Sequence, residues 1–304
     1  MAEAYADIGD ITLCYETLGD PSDPTLLLLM GLGGQLVEWP DDFCHAFVER
    51  GFHVVRFDNR DAGLSSYLPE PVDLFEVLRA VGSGEPPEAP YLLSDMACDT
   101  VGLLDHLGVD RAHLLGISLG GMIAQTMALE HGDRVASLTS IMSTPGPEVS
   151  PPTSEALNAL LSPPAETSEQ KIAMSVTHAG IWGSPGLYDE EEVRERAALC
   201  WDRNYDGSGS VRQFAAIVAS GNRTERLRSL QLPTLVLHGT ADTLVPPAGG
   251  EATAAAIPGA ELLIIEGMGH DLAKGLLPRL VEAIAGHLAR HPIDDRGPTT
   301  TVRS

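Results

Sequence analysis

Short apolar runs alternating with longer amphipathic stretches constrain this chain more than any other feature. ITLCYE (11–16), TLLLLM (25–30), FHVVRF (52–57), AHLLGI (112–117), VASLTSIM (135–142), TLVLHG (234–239) and AELLIIE (260–266) read as strands. The later runs are nearly continuous in apolar residues, as strands buried on both faces should be. Between them, 94–108 places Met96, Ala97, Thr100, Val101, Leu104 and Leu107 on one helical face, with Ser94 as the expected N-cap and Gly108 as the stop. Residues 120–132 predict a second helix, and 276–290 a third with the stripe Leu277, Leu280, Val281, Ile284 and Leu288. Such alternation predicts an α/β protein with a mainly parallel sheet.

Two regions break the rhythm. Residues 68–92 carry five prolines and read as an excursion over the surface. Residues 143–232, proline-rich at first and helical later, read as a helical cap over the sheet edge. Within them Asp189 and Glu192 make a D-x-x-E helix start, and the helix that follows would bury Val193, Ala197, Cys200 and Trp201. The core is therefore expected to comprise 1–142 and 233–290, with 143–232 as cap and 291–304 as a frayed polar tail.

At 304 residues the chain has room for one large α/β domain or two small ones. With 43 acidic against 19 basic side chains, its net charge of -24 repels phosphate backbones and anionic membranes, so no nucleic-acid partner is expected. No segment approaches the ~20 apolar residues of a membrane span. The acidic N-terminal stretch MAEAYADIGD lacks a signal-peptide pattern, and the expected location is cytoplasmic. Cys14, Cys44, Cys98 and Cys200 match no zinc or redox motif and are read as isolated buried thiols.

The chemistry concentrates at three strand ends. In Gly116-Ile117-Ser118-Leu119-Gly120 a serine follows an apolar strand and opens an amphipathic helix, the setting of a nucleophile elbow. Side chains at Gly116 and Gly120 would collide across so sharp a turn, and the Leu119 N–H would point where an oxyanion forms. A serine hydroxyl needs a base and a group to orient that base. Asp242, in LHGTADTLVP, and His270, in IIEGMGHDL, each follow a strand, in the order Ser118, Asp242, His270. A second oxyanion donor is expected from LMGLGG (29–34), as Leu32 N–H with Gly33 as the other choice. Arg60 and Asp61, in DNRDAGLS, are expected to pair and brace their loop.

With GISLGG, DNRDAGLS, HGTADTLVP and GMGH in view, the chain resembles the α/β-hydrolase superfamily over residues 11–290. LLLLMGLGG, WPDDF and VVRFDNRDAGLSS bring it nearer to actinobacterial esterases and lipases and to the aclacinomycin methylesterases. The resemblance implies an eight-stranded, mainly parallel sheet flanked by helices and capped by a helical insertion. It implies Ser118 as nucleophile, His270 as base, Asp242 as acid, and Leu32 and Leu119 as oxyanion donors. The chain departs from the superfamily pattern at Met30, where His-Gly is commoner before the oxyanion residue.

The expected reaction is hydrolysis of small or medium apolar carboxylic esters through an acyl-enzyme, with neither metal nor organic cofactor. Met30, Met174, His178, Trp182 and Trp201, with Tyr205, are candidates for the substrate pocket; the alternative is that the cap's large side chains only pack it against the sheet. The partner is then a small-molecule ester, and a homodimer stays open. Polyketide methylesterase, lactonase, thioesterase, carbon–carbon hydrolase and perhydrolase chemistry share this constellation. Outside enzymology the chain would be a ligand-binding protein without turnover. An interfacial lipase would want a basic amphipathic helix, and none is evident.

Overall fold

The computed structural model describes residues 2–293; of the expected tail, 294–304 lie outside the described residues. Eight strands form one sheet in the order β1-β2-β4-β3-β5-β6-β7-β8. They are β1 (Ala4–Ile8), β2 (Ile11–Leu18), β3 (Thr25–Leu29), β4 (His53–Phe57), β5 (Ala112–Ile117), β6 (Val135–Ile141), β7 (Thr234–Gly239) and β8 (Glu261–Ile265). β2 runs antiparallel to both β1 and β4, and the remaining pairs are parallel. The seven runs read from the sequence are all strands. The eighth, β1, makes a two-residue hairpin with β2 through Gly9-Asp10, where Gly9 takes φ +61°.

The continuous apolar runs are explained by two cores, one on each face of the sheet. Leu27, Leu29, Val55 and Leu114 point to one face and Leu26, Leu28, Val54 and Leu115 to the other, the two-residue period of a strand. The first face is covered by α3 (Leu93–Leu107) and α4 (Leu119–Glu130). The second is covered by α1 (Asp41–Val48), through Phe43, Cys44 and Phe47, and by α11 (Leu277–Arg290), through the stripe expected of it. Helix α3 ends at Gly108 with φ +68° as expected. Its N-cap is Leu92, two residues earlier than expected: the Asp95 carboxylate accepts from Leu92 N–H at 2.7 Å, while the Ser94 hydroxyl donates to Glu130 instead of capping.

The proline-rich stretch 68–92 contains a helix, α2 (Leu74–Ser83), capped by Asp73. Its prolines flank the helix instead of interrupting it, so they delimit it. Between β6 and β7 lie α5 (Ser154–Leu160), α6 (Ser168–Trp182), α7 (Glu190–Arg203), α8 (Gly207–Ser220) and α9 (Thr224–Leu227). Asp189 does cap α7, accepting from the N–H groups of Glu191 and Glu192. The five helices are not alike. No residue of α6 is fully buried, whereas Ala216, Ile217 and Leu227 of α8 and α9 join the first core. Helix α10 (Ala248–Ala256) connects β7 to β8.

Candidate active site

β5 delivers the chain to Ser118, and α4 begins at the next residue. Ser118 sits at φ 53°, ψ −120°, a backbone conformation that L-residues hold only when their surroundings enforce it. Two glycines do so, against different neighbours. A Cβ on Gly116 would lie 2.2 Å from the Gly120 carbonyl oxygen, a clash across the turn as expected. A Cβ on Gly120 would lie 2.0 Å from the Leu29 carbonyl oxygen, so this glycine admits strand β3 and not the other limb of the turn. Ser143 Oγ donates to the Ser118 carbonyl at 2.8 Å, and Ser118 N–H donates to Ile141 O.

The loop after β3 passes directly beside Ser118; a Cβ on Gly31 would be 3.4 Å from the serine Cβ. Its polar groups are assigned one by one. Asn59 Nδ2 donates to Met30 O, Gly34 N–H to Gly31 O, and Gly33 N–H to Gln213 Oε1 at 2.8 Å. Gly33 is thereby committed elsewhere as a donor. Among the described residues, no protein acceptor takes the N–H of Gly31, Leu32 or Leu119. The Leu119 N–H also lies in the first turn of α4, where helix N–H groups lack internal partners and the macrodipole is positive.

Asp242 follows β7, and its side chain is fully buried. Oδ2 accepts from His270 Nδ1–H at 2.7 Å, while Oδ1 accepts from the N–H groups of Leu244 (3.0 Å) and Val245 (2.8 Å). Burial works against its charge, but the His270 imidazole, His238 and the Val245 amide prevail and hold its pKa at about 2. His238, on β7, donates from Nε2 to Val245 O at 2.7 Å and stands 3.5 Å from Asp242 Oδ2. It fastens the turn that presents the carboxylate. His270 follows β8, and its ring faces the same cavity that Ser118 lines.

That cavity has a volume of about 530 Å³. Met30, Met174, His178 and Trp182 line it as expected, joined by Phe214 and Ile217 of α8. Trp201 does not. On α7 the cavity takes Glu192, Val193, Arg196, Ala197 and Cys200, one broad helical face, and Trp201 lies just past its edge, about 40° beyond Ala197. Its ring packs at a tilt against Tyr205, centroids 5.4 Å apart, and Tyr205 is the residue on the wall. The wall also carries half-buried Lys171, whose ammonium lies 4.9 Å from the Tyr205 ring centroid. Burial, with Lys171 nearby, pushes the His178 imidazole below its ordinary value.

The expected Arg60–Asp61 pair does not form. Arg60 pairs with Asp99, whereas Asp61, at φ 65°, pairs with Arg212 and accepts from Tyr91 Oη and Leu68 N–H. Both residues still brace the loop, through partners far away in the chain. Cys98 is exposed, unlike the other three thiols. Among the described residues, Glu261, His287 and His291 have metal-compatible spacing, with ligand atoms within 4.8 Å. Both Glu261 oxygens accept from Arg290 at 2.7 Å, and Glu261 opens β8 whereas His270 follows its far end.

Comparison with known proteins addresses the fold and its relatives. The chain is 28% identical to rhodomycin D methylesterase DnrP of Streptomyces peucetius, over 91% of this chain and 95% of that one. It is 25% identical to 3-oxoadipate enol-lactonase 2 of Acinetobacter baylyi, over 80% of each. Among solved structures, a hydrolase from Pseudomonas aeruginosa superposes with a TM-score of 0.71 at 27% identity, covering 95% of this chain and 97% of that one. No described helix is long and apolar enough to cross a membrane. The pattern of the alpha/beta hydrolase fold family matches residues 24–273, more than half of the chain, and the chain belongs to that family.

Proposed function

We propose that this protein is a serine hydrolase that cleaves carboxylic esters of small or medium apolar molecules through an acyl-enzyme. Ser118 Oγ attacks the ester carbonyl and His270 Nε2 takes its proton, because Nδ1–H is engaged by Asp242. The Asp242 carboxylate fixes the tautomer and stabilises the imidazolium. Leu32 N–H and Leu119 N–H hold the oxyanion. His270 then protonates the leaving alcohol, and water repeats the sequence on the acyl-enzyme. The helices of 143–232 act as the cap that selects the substrate. One observation carries the reading: a hydrogen-bonded Asp242–His270 pair opens onto the same cavity as a strained serine flanked by two uncommitted amides.

The test is labelling with a fluorophosphonate probe together with turnover of p-nitrophenyl esters. Wild type should label and turn over. Ser118→Ala should do neither, with turnover lower by several orders of magnitude, about 10³-fold or more. A folded wild-type protein that neither labels nor turns over would instead be a ligand-binding member of the family.

A second reading has a specific observation behind it. A cavity of about 530 Å³ falls in the range that encloses drug-sized ligands. Together with the relatives named as a methylesterase and an enol-lactonase, this favours a polyketide methyl ester or a lactone as substrate. A series running from p-nitrophenyl acetate to aromatic polyketide methyl esters and lactones separates the two, since a polyketide methylesterase would show its highest kcat/KM at the large end.

A further inference from the structure

The last turn of α6 ends against two loops at once. The Ile181 carbonyl accepts from Thr243 Oγ1 at 2.9 Å, and the Trp182 carbonyl accepts from His270 N–H. These carbonyls belong to the set that a helix C-terminus leaves without internal donors. Just beyond, Ser184 is fully buried. Its N–H donates to Asp271 Oδ2 at 3.0 Å, its hydroxyl donates to Asp271 Oδ1, and the same hydroxyl accepts from Gly269 N–H at 2.9 Å. Residues 269, 270 and 271 are thus each tied to 182–184. Thr243, which makes the other tie, directly follows Asp242.

The approach is close enough to require glycine at 269, while glycine at 183 answers first to the last turn of α6 itself. A Cβ on Gly269 would lie 2.3 Å from the Gly183 carbonyl carbon and 2.4 Å from Trp182 O. A Cβ on Gly183 would lie 2.4 Å from Ala179 O and 3.1 Å from Asp271 Oδ2.

We infer that the C-terminal end of α6 is a positioning element for the His270–Asp242 pair, acting through Ser184, Asp271 and Thr243; this rests on the reading of that pair as the base and its orienting acid. The helix that presents Met174, His178 and Trp182 to the cavity and the loop that carries the imidazole behave as one body. Pressure from a bound acyl group on α6 reaches the imidazole without an intervening hinge. Fit against the cavity wall is thereby expressed in kcat and not only in KM.

Ser184→Ala, Asp271→Asn and Thr243→Val in the full chain test this, with Thr243→Ser as the conservative control. Three quantities are read: kcat and KM on p-nitrophenyl butyrate, the thermal midpoint, and the downfield proton resonance of His270 Nδ1–H. A displacement of the imidazole by about 1 Å should lower kcat by about 10- to 100-fold with KM within about threefold, and shift or broaden the resonance. Thr243→Ser should retain wild-type values, because it keeps the hydroxyl donor. If Ser184→Ala and Asp271→Asn keep kcat within about twofold and leave the resonance in place, the ties only hold the fold together, whatever the thermal midpoint does, and the inference fails. Should Ser118→Ala prove fully active, the hydrolase reading fails on its own, and the resonance still reports on positioning.

Discussion

Replacing Asp242 by Asn tests the site at its most buried charge. Asn keeps the shape and can keep accepting from the N–H groups of Leu244 and Val245, so the turn should survive. What is lost is the anion. In the native protein the neighbours of Asp242 lower its pKa from 3.8 to about 2 despite its burial. At 1.36 kcal/mol per pH unit that corresponds to about 2 kcal/mol of folding free energy. The sign follows from the direction of the shift. A depressed folded pKa stabilises the fold above the unfolded value, near 4, and the stabilisation disappears as pH falls through the folded value, near 2. Denaturant titrations should therefore place Asp242→Asn about 2 kcal/mol below wild type at pH 7, with the gap narrowing below pH 4. Under the proposed mechanism, kcat should fall by about 10⁴-fold, because the carboxamide favours the wrong imidazole tautomer and leaves the imidazolium without a counter-charge. A variant within tenfold of wild-type kcat, or a stability gap that does not change between pH 7 and pH 3, would refute the reasoning.

Gly120→Ala should cost at least about 3 kcal/mol or abolish soluble expression, since the new methyl would meet backbone of β3 and Met30 instead of a side chain that can turn away; an unchanged denaturation midpoint would count against the close approach. Arg212→Met leaves the Asp61 carboxylate buried without its cation and should cost about 3–5 kcal/mol, partly recovered in the double variant with Asp61→Asn. Gln213→Leu removes the acceptor that holds Gly33 N–H, and kcat on short esters should drop by about tenfold with KM little changed, a loss of transition-state contacts alone. Equal losses in kcat and kcat/KM would support that assignment, and a rise in KM alone would move Gln213 to substrate binding.

How far the sequence could be read depended on the range of the interactions that decide each feature. Parallel strands covered on both faces must be apolar throughout, so β3 to β7 are visible as composition. Strand β1 is half exposed at a sheet edge, and its signal is only the Gly9-Asp10 turn. Helix α2 hides because its prolines were counted as breakers when they stand at its ends. The strained serine was also legible, because Gly116, which makes room across the turn at φ 53°, is its near neighbour, although Gly120 answers to β3. Other features were decided at long range. Arg60 and Asp61 look like a pair by adjacency, but consecutive side chains on a turning backbone diverge, and each found an opposite charge elsewhere: Asp99, 39 residues away, and Arg212, 151 away.

The loop after β3, the proposed oxyanion loop, shows the limit most sharply. Its glycines announce that backbone comes close to something, but five successive residues each present an N–H, and local pattern cannot say which stays free. That is decided by subtraction. Gln213, 180 residues on, takes Gly33, and the Gly31 carbonyl takes Gly34. Gln35 N–H is taken by Glu38 Oε2, which leaves only Gly31 and Leu32 of the five, both on the cavity that Ser118 lines. The same logic governs the imidazole loop: GMGH places His270 after a strand, but its backbone N–H is held by Trp182 O and its neighbours 269 and 271 by Ser184, residues that carry no motif. A serine, a histidine and an aspartate are therefore recognisable from their own segments, while the contacts that hold the histidine loop belong to ordinary polar groups elsewhere in the chain, and under the proposed mechanism substitutions at those groups are where activity should be lost without loss of any residue in the motifs.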